Sequence, residues 1–519
     1  MGQHVSSSFI KHKSHTSSSP NLIHWGLHAT KRETSTSSTV SPSSAGGNGV
    51  PTSPSPVPAK RNCCSAVDIS PDHMALTERW IDKEGFKFHV HQKNGVRICD
   101  NFLLGNCPQG ESCPLHHTRY PYHWQLKQKE SRVWQSVSDL AQQHLEKLYT
   151  DITRVHTTLV DKQGISGILN CDLMRLKSFA PYDSIRRLSN TSSSQINPHF
   201  PTKWTWYWKD DYNWKEYDEP VPPDFLAVFE KSLPSDNAEI HRELSAMDLK
   251  QKSQKISHSC PIQHRPVYRS LLSMAPFLQT IRKKHSEELQ LSTSGIPGED
   301  PTDEYCGPYP ATSVFQLVGP TDNGFLQLEM EPWESAYHST YTLFHDSFSE
   351  NEALVLGIYR IWNEVVWQNY TRRKESMFEC ISGVKKCELE KHLFYGTWAE
   401  RKSSICRMNF DPCLSGLFTP IYGQGIYFHM CAQQAHKYTL PDKDKLRYMF
   451  LAKVLVGNYI SGEEHYRHTK KFLPAQETYE SCVDNTESPK IFVTFNRNQC
   501  YPYFLICYKL LSDPVVLGI

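Results

Sequence analysis

The chain carries almost no net charge: 56 Lys and Arg stand against 55 Asp and Glu, leaving +1 over 519 residues. Without a global basic field nothing draws the whole protein onto nucleic acid, so any RNA contact has to come from a local site. No apolar run approaches the roughly 18 residues that a membrane helix needs, which excludes a helical span. No apolar leader follows Met1, and the 16 cysteines are scattered, so a reducing, intracellular setting is expected. A strong basic cluster is also missing, and nucleus and cytoplasm both stay open as locations. No short-period repeat is visible.

What is present divides the chain. Its length suggests about three or four domains, and the 38% apolar content is enough for ordinary cores. Residues 1–75 are rich in Ser, Thr and Pro, as in Ser35-Thr36-Ser37-Ser38-Thr39, and are expected to be disordered because they cannot bury enough apolar surface. Within them, Met1-Gly2-Gln3-His4-Val5-Ser6 fits the pattern for an N-myristoyl anchor at Gly2, with Lys11 and Lys13 behind it. A polar patch at Leu188–Asn197 separates two tryptophan-rich segments, and residues 286–308 read as a linker.

Cys99, Cys107, Cys113 and His117 have the spacing C-x7-C-x5-C-x3-H. Three thiolates and an imidazole suit tetrahedral Zn2+, and such a structural zinc supplies folding energy to a segment too short for a core, here 93–118. Gly105 and Gly110 permit the turns between ligands. His116 competes with His117, but the spacing favours His117. The pattern is the signature of the CCCH zinc-finger family, which implies single-stranded RNA as a partner. Phe102 is a candidate base-stacking platform, with Lys93 and Arg97 beside it.

Trp204, Trp206 and Trp208 alternate with period two, as in a strand, and a turn leads to a second strand at Trp214. Residues 199–285 resemble the WWE domain, which implies binding of ADP-ribose or poly(ADP-ribose). The segment 119–187, with Trp124 and Trp134, resembles a degenerate first copy.

Toward the C-terminus, Val355, Tyr359, Trp362, Val366 and Tyr370 recur at helical steps, so Leu354–Lys374 reads as one amphipathic helix. Met449–Leu455, Lys490–Phe495 and Tyr503–Tyr508 read as strands. Three further segments, His392-Leu393-Phe394-Tyr395-Gly396-Thr397, Tyr422-Gly423-Gln424-Gly425-Ile426-Tyr427-Phe428 and Ile491-Phe492-Val493-Thr494-Phe495, carry a specific resemblance to the catalytic domain of the poly(ADP-ribose) polymerase superfamily over 309–519. With the finger and tryptophan modules ahead of it, the chain resembles the CCCH zinc-finger, WWE-containing branch of mono-ADP-ribosyltransferases. The fold class is accordingly multidomain α+β, ending in an ADP-ribosyltransferase fold with a split β-sheet core and flanking helices.

The resemblance implies NAD as donor substrate and places the catalytic triad on Tyr395, Tyr427 and Ile491. Gly396 would hold the carboxamide through its backbone, Tyr427 would sit at the ribose, and Tyr438 would stack on nicotinamide. Residues from Asn409 to Tyr422 would form the loop over the donor, and Tyr479–Asp484 matches another family block. Three departures stand out. Ile491 replaces the Glu that elongates chains, which excludes polymer synthesis. Tyr395 replaces the motif His, and His392, three residues away, would face the other side of a strand. Ala435 occupies a position where many members place a Ser that bonds the carboxamide. Two readings remain open, an active mono-ADP-ribosyltransferase and a weak or inactive relative that binds RNA and ADP-ribose. The site residues favour the second.

Overall fold

The computed structural model describes residues 77–81, 86–210, 212–217, 261–279, 324–380, 389–413, 420–468 and 479–519, all within one compact unit, Ser70–Ile519. The Ser/Thr/Pro-rich start, the Gly2 motif and the linker 286–308 lie outside the described residues. Among the described residues no helix is long and apolar enough to cross a membrane.

The finger region opens with an antiparallel hairpin, β1 (Thr77–Ile81) and β2 (Lys87–His91), followed by the short helix α1 (Asp100–Leu103). Gly105 and Gly110 turn the chain with φ of 73° and 49°, as their spacing between ligands requires.

The first tryptophan module comprises six strands and one helix from residues 122–189. Strands β3 (Tyr122–Gln128) and β4 (Trp134–Ser136) precede α2 (Asp139–Thr150). Then come β5 (His156–Val160), β6 (Ser166–Asn170), β7 (Arg175–Lys177) and β8 (Tyr182–Ser189). Ser138 caps α2 by accepting from the Ala141 N–H at 3.3 Å, and Ala141, Leu145, Leu148 and Tyr149 turn one face inward. The Trp124 indole donates to Glu146 at 3.0 Å, and Arg187 donates to the same carboxylate at 2.7 and 2.8 Å. All three are buried, so this ion pair fixes the helix against the sheet.

The polar patch after β8 is ordered, contrary to its reading as a separator. Asn190 and Asn197 each donate to Asp100 at 3.0 Å, and Thr202 donates to Asn190 at 2.6 Å. Short amides and hydroxyls are used here as hydrogen-bonding groups, which composition alone does not distinguish from solvation.

The second module shows β9 (Trp204–Lys209) between β10 (Trp214–Glu216) and β11 (Ile262–Pro266), as the alternating tryptophans indicate. Its residues 218–260 are not described. Arg265 bonds Asp172 of the first module.

The C-terminal domain is built on nine strands in the order β12-β13-β20-β16-β14-β15-β19-β18-β17. These are β12 (Leu326–Glu329), β13 (Ala353–Trp362), β14 (Glu390–Thr397), β15 (Ile426–His429) and β16 (Arg447–Leu455). The remainder are β17 (Tyr459–Ser461), β18 (Ser481–Val483), β19 (Ile491–Thr494) and β20 (Cys500–Leu510). Helices α3 (Ser335–His345), α4 (Glu364–Cys380), α5 (Ala399–Met408) and α6 (Ala432–His436) accompany the sheet. Between β14 and β15 only Phe394 and His429 pair, so the sheet splits there.

One expectation fails. Leu354–Lys374 is not a single helix, because Ala353–Trp362 is strand and Glu364–Cys380 helix. The run Ala-Leu-Val-Leu-Gly-Ile-Tyr-Arg-Ile-Trp is covered on both faces and paired to β12 and β20, where near-continuous apolar sequence mimics helical spacing. Asn363 marks the change, its side chain accepting from the Val366 N–H at 3.1 Å.

The chain's last strand, β21 (Val515–Val516), leaves the C-terminal sheet and pairs in parallel with β5 of the first module. Val515 and Leu517 join the apolar core that also holds Trp124, Leu145 and Leu354.

Candidate functional site

In the finger, the Sγ atoms of Cys99 and Cys107 lie 3.8 Å apart and those of Cys113 and Cys99 3.9 Å. With a nitrogen of His117, all four ligand atoms fall within 4.8 Å of one another. A tetrahedron with Zn–S near 2.3 Å has edges of about 3.8 Å, so the donor set fits Zn2+. The Nε2 atom of His117 is buried without a protein partner, as a ligand atom would be. His116 lies outside the cluster of ligand atoms, and its Nδ1 accepts from the His91 N–H at 2.9 Å. Phe102 is not an open platform: it is buried, stacked on His117 at 4.1 Å and edge-on to Phe88. Lys93 and Arg97 are exposed as expected.

The residues expected at the donor site fall on β14, β15 and β19 and on the glycine turn before β15. Gly423 has φ 125°, and a Cβ on Gly425 would sit 2.5 Å from the Thr494 carbonyl. The Tyr427 hydroxyl closes this turn, donating to the Gly423 carbonyl at 2.7 Å and accepting from the Tyr422 N–H at 2.9 Å. Burial pushes its pKa up to about 12, so it stays a neutral phenol. Ile491 packs in the same apolar cluster as Tyr427 and brings no carboxylate.

Gly396 presses on α6; a Cβ there would lie 2.1 Å from the Ala435 carbonyl and 3.1 Å from Thr439 Cγ2. Ala435 is fully buried. Tyr395, next in the strand, faces the opposite way. Its ring packs on Phe410 at 4.8 Å and Phe428 at 5.7 Å, and burial raises its pKa. His392 lies on the other face, toward Tyr503 at 6.4 Å. The structure therefore brings Tyr427 and Ile491 together but sets Tyr395 in a separate aromatic cluster with Phe410 and Phe428.

The family profile described as the poly(ADP-ribose) polymerase catalytic domain matches residues 337–510. The C-terminal domain belongs to this family. Protein mono-ADP-ribosyltransferase PARP12 of Mus musculus is 27% identical over 433 residues, 82% of this chain and 58% of that protein. Protein mono-ADP-ribosyltransferase PARP11 of Mus musculus is 34% identical over 217 residues, 38% of this chain and 64% of that protein. Zinc finger CCCH-type antiviral protein 1 of Mus musculus is 25% identical over 345 residues, 63% of this chain and 32% of that protein. These relatives support the CCCH-type branch. The chain spans 58% to 60% of the length of the PARP12 relatives it matches.

In the polymerase-family domain, sequence reasoning missed His429. It stands two residues after Tyr427 in β15, so the period of a strand puts both on one face, and that signal was available. Its ring lies on Tyr438, centroids 5.1 Å apart and planes 24° from parallel. Burial, aided by Lys437 and opposed by Asp484, pulls its pKa down to about 4, so the imidazole is neutral at pH 7. Glu146 was missed as well, because its pairing with Trp124 crosses from helix to sheet.

Proposed function

We propose that this chain is an RNA- and ADP-ribose-binding adaptor of the mono-ADP-ribosyltransferase family whose C-terminal domain has lost most or all transfer chemistry. Transfer of one ADP-ribose from NAD requires the nicotinamide to be gripped, the ribose to be held and an acceptor to be positioned. Gly396 would grip through its backbone, Tyr438 would supply the ring face and Tyr427 would lie at the ribose. The observation that carries the reading is Tyr395: its ring is committed to Phe410 and Phe428, where the family motif has a His that donates to the ribose. Ala435 supplies no hydroxyl to the carboxamide, and Ile491 supplies no base for chain growth.

The remaining modules support an adaptor. The Cys3His set suits zinc and, through Lys93 and Arg97, single-stranded RNA phosphates. The two tryptophan modules suit ADP-ribose, with Trp204 and Trp208 half-buried in β9 and Lys215 over the Trp208 ring at 5.2 Å. An active mono-ADP-ribosyltransferase is the second reading, favoured by the retained Gly396 against α6.

The deciding experiment incubates the full chain with NAD and reads automodification by intact mass. The expected result is no mass gain while ADP-ribose binding persists by calorimetry. Addition of single ADP-ribose units to the natural chain would establish the second reading instead.

A further inference from the structure

We infer that His429 is a built-in occupant of the nicotinamide subsite, its imidazole lying on the face of Tyr438 that a planar ring ligand would need. The inference rests on the C-terminal domain retaining the family's NAD pocket, and it adds a block separate from Tyr395.

Three observations meet at this residue. The His429 ring is stacked on Tyr438, and the residue is only 3% exposed. Neither of its ring nitrogens has a hydrogen-bond partner among the described residues. A histidine recruited to build a core normally bonds at least one nitrogen, because burying both unmet is unfavourable. The contact that places this ring is the stack. His429 also stands where β14 and β15 share their single pairing, opposite Phe394, and is paired on its other side with Ile491. Burial keeps the imidazole neutral at pH 7, with Lys437 acting in the same direction and Asp484 against it.

Two flat rings cannot lie on the same face of Tyr438. A ligand that brings a carboxamide on an aromatic ring must displace the imidazole, whereas the loss of the motif His at Tyr395 bears on the ribose. The two blocks can therefore be separated with benzamide, which carries the ring and carboxamide but no ribose.

The test titrates benzamide into the full chain by calorimetry, comparing the natural protein with His429→Ala, His429→Phe and Tyr395→His. His429→Ala is expected to bind at least about tenfold more tightly than the natural chain. His429→Phe, which refills the slot, should remain closed, and Tyr395→His should match the natural chain. If His429→Ala does not fold, His429→Gln takes its place, since an amide chain does not stack as a ring does. Benzamide binding to the natural chain as tight as to the opened variant would overturn the inference. Automodification separates it from the reading on which it rests. If Tyr395→His alone turns NAD over, the slot was open and the inference falls, while the role assigned to Tyr395 stands. If His429→Ala binds benzamide yet the double variant with Tyr395→His stays inert, the occupant is real and the role assigned to Tyr395 falls.

Discussion

Tyr395 and Phe410 pack with ring centroids 4.8 Å apart at 58°, so the residue that departs from the family motif serves as part of a core. Removing the ring should therefore be costly whatever its effect on NAD. Tyr395→Ala is expected to lose about 3–5 kcal/mol of stability, whereas Tyr395→Phe should stay within about 1 kcal/mol. Thermal unfolding of the two variants reads the difference, and equal losses would show that the hydroxyl, not the ring, holds the site.

Glu390, the first residue of β14, meets Lys374 at 2.7 Å, Lys453 at 3.4 Å and the Tyr370 hydroxyl at 2.6 Å. Burial pushes its carboxyl up, but Lys453 and Lys374 outweigh this and hold it down to about 2. Because the folded value lies below the unfolded one, the stabilisation is complete above about pH 5 and fades as pH falls toward 2. It amounts to about 3 kcal/mol. Melting of Glu390→Gln at pH 7 and pH 3 should show a lower, flatter acid profile than the natural chain. Parallel profiles would remove Glu390 from the account.

The buried Trp124–Glu146–Arg187 group ties α2 to β3 and β8 in the first module. Glu146→Ala leaves the Arg187 charge buried and unpaired, and is expected to cost about 3–5 kcal/mol. Glu146→Gln, which can still accept from both partners, should cost less. Denaturation followed through tryptophan fluorescence measures both, and a harmless Glu146→Ala would mean that water reaches Arg187.

Residues 515–519 complete the first module from the far end of the chain. The Leu517 N–H donates to Val160 at 2.8 Å, and its carbonyl accepts from Ser138 at 2.9 Å. Deleting these residues should accelerate amide hydrogen exchange at Ser138 and Lys162 by about tenfold or more, while strand β16 of the C-terminal domain keeps its protection. Unchanged exchange at Ser138 would show that β5 does not depend on β21.

Chelating zinc, or Cys107→Ser, should unfold the finger and release its clamp on the first module. That clamp includes Arg186 donating to the His91 carbonyl at 2.9 Å and Trp80 stacked on His123 at 5.7 Å. Loss of the near-ultraviolet dichroism of Trp80 on chelation checks this. A signal insensitive to chelator would place the clamp in the protein contacts alone.

Local chemistry made several features readable from the sequence. Ligand spacing identified the Cys3His set, since a small metal site is built from near neighbours joined by glycine turns. The period of Trp204, Trp206 and Trp208 marked β9, because alternation is a property of one strand. The motifs around Tyr427 and Ile491 indicated the family domain, because their glycines answer to close backbone contacts such as Gly425 against Thr494.

What needed the tertiary structure was every relationship between distant segments. Val355 to Trp362 has apolar residues at spacings that helix and buried strand share, and only pairing with β12 and β20 decided for strand. Asn190 and Asn197 look like linker residues until Asp100 is beside them. Phe102 reads as an exposed ring until His117 lies against it. The direction of Tyr395 toward Phe410, and the meeting of His429 with Tyr438, depend on how strands and helix close around the split. The sequence by itself determined which chemistry is on offer, zinc ligands, aromatic modules and a family pocket without its His or Glu. Tertiary packing decided which of those groups are used up against one another, because burial and partner choice are set by residues far apart in the chain.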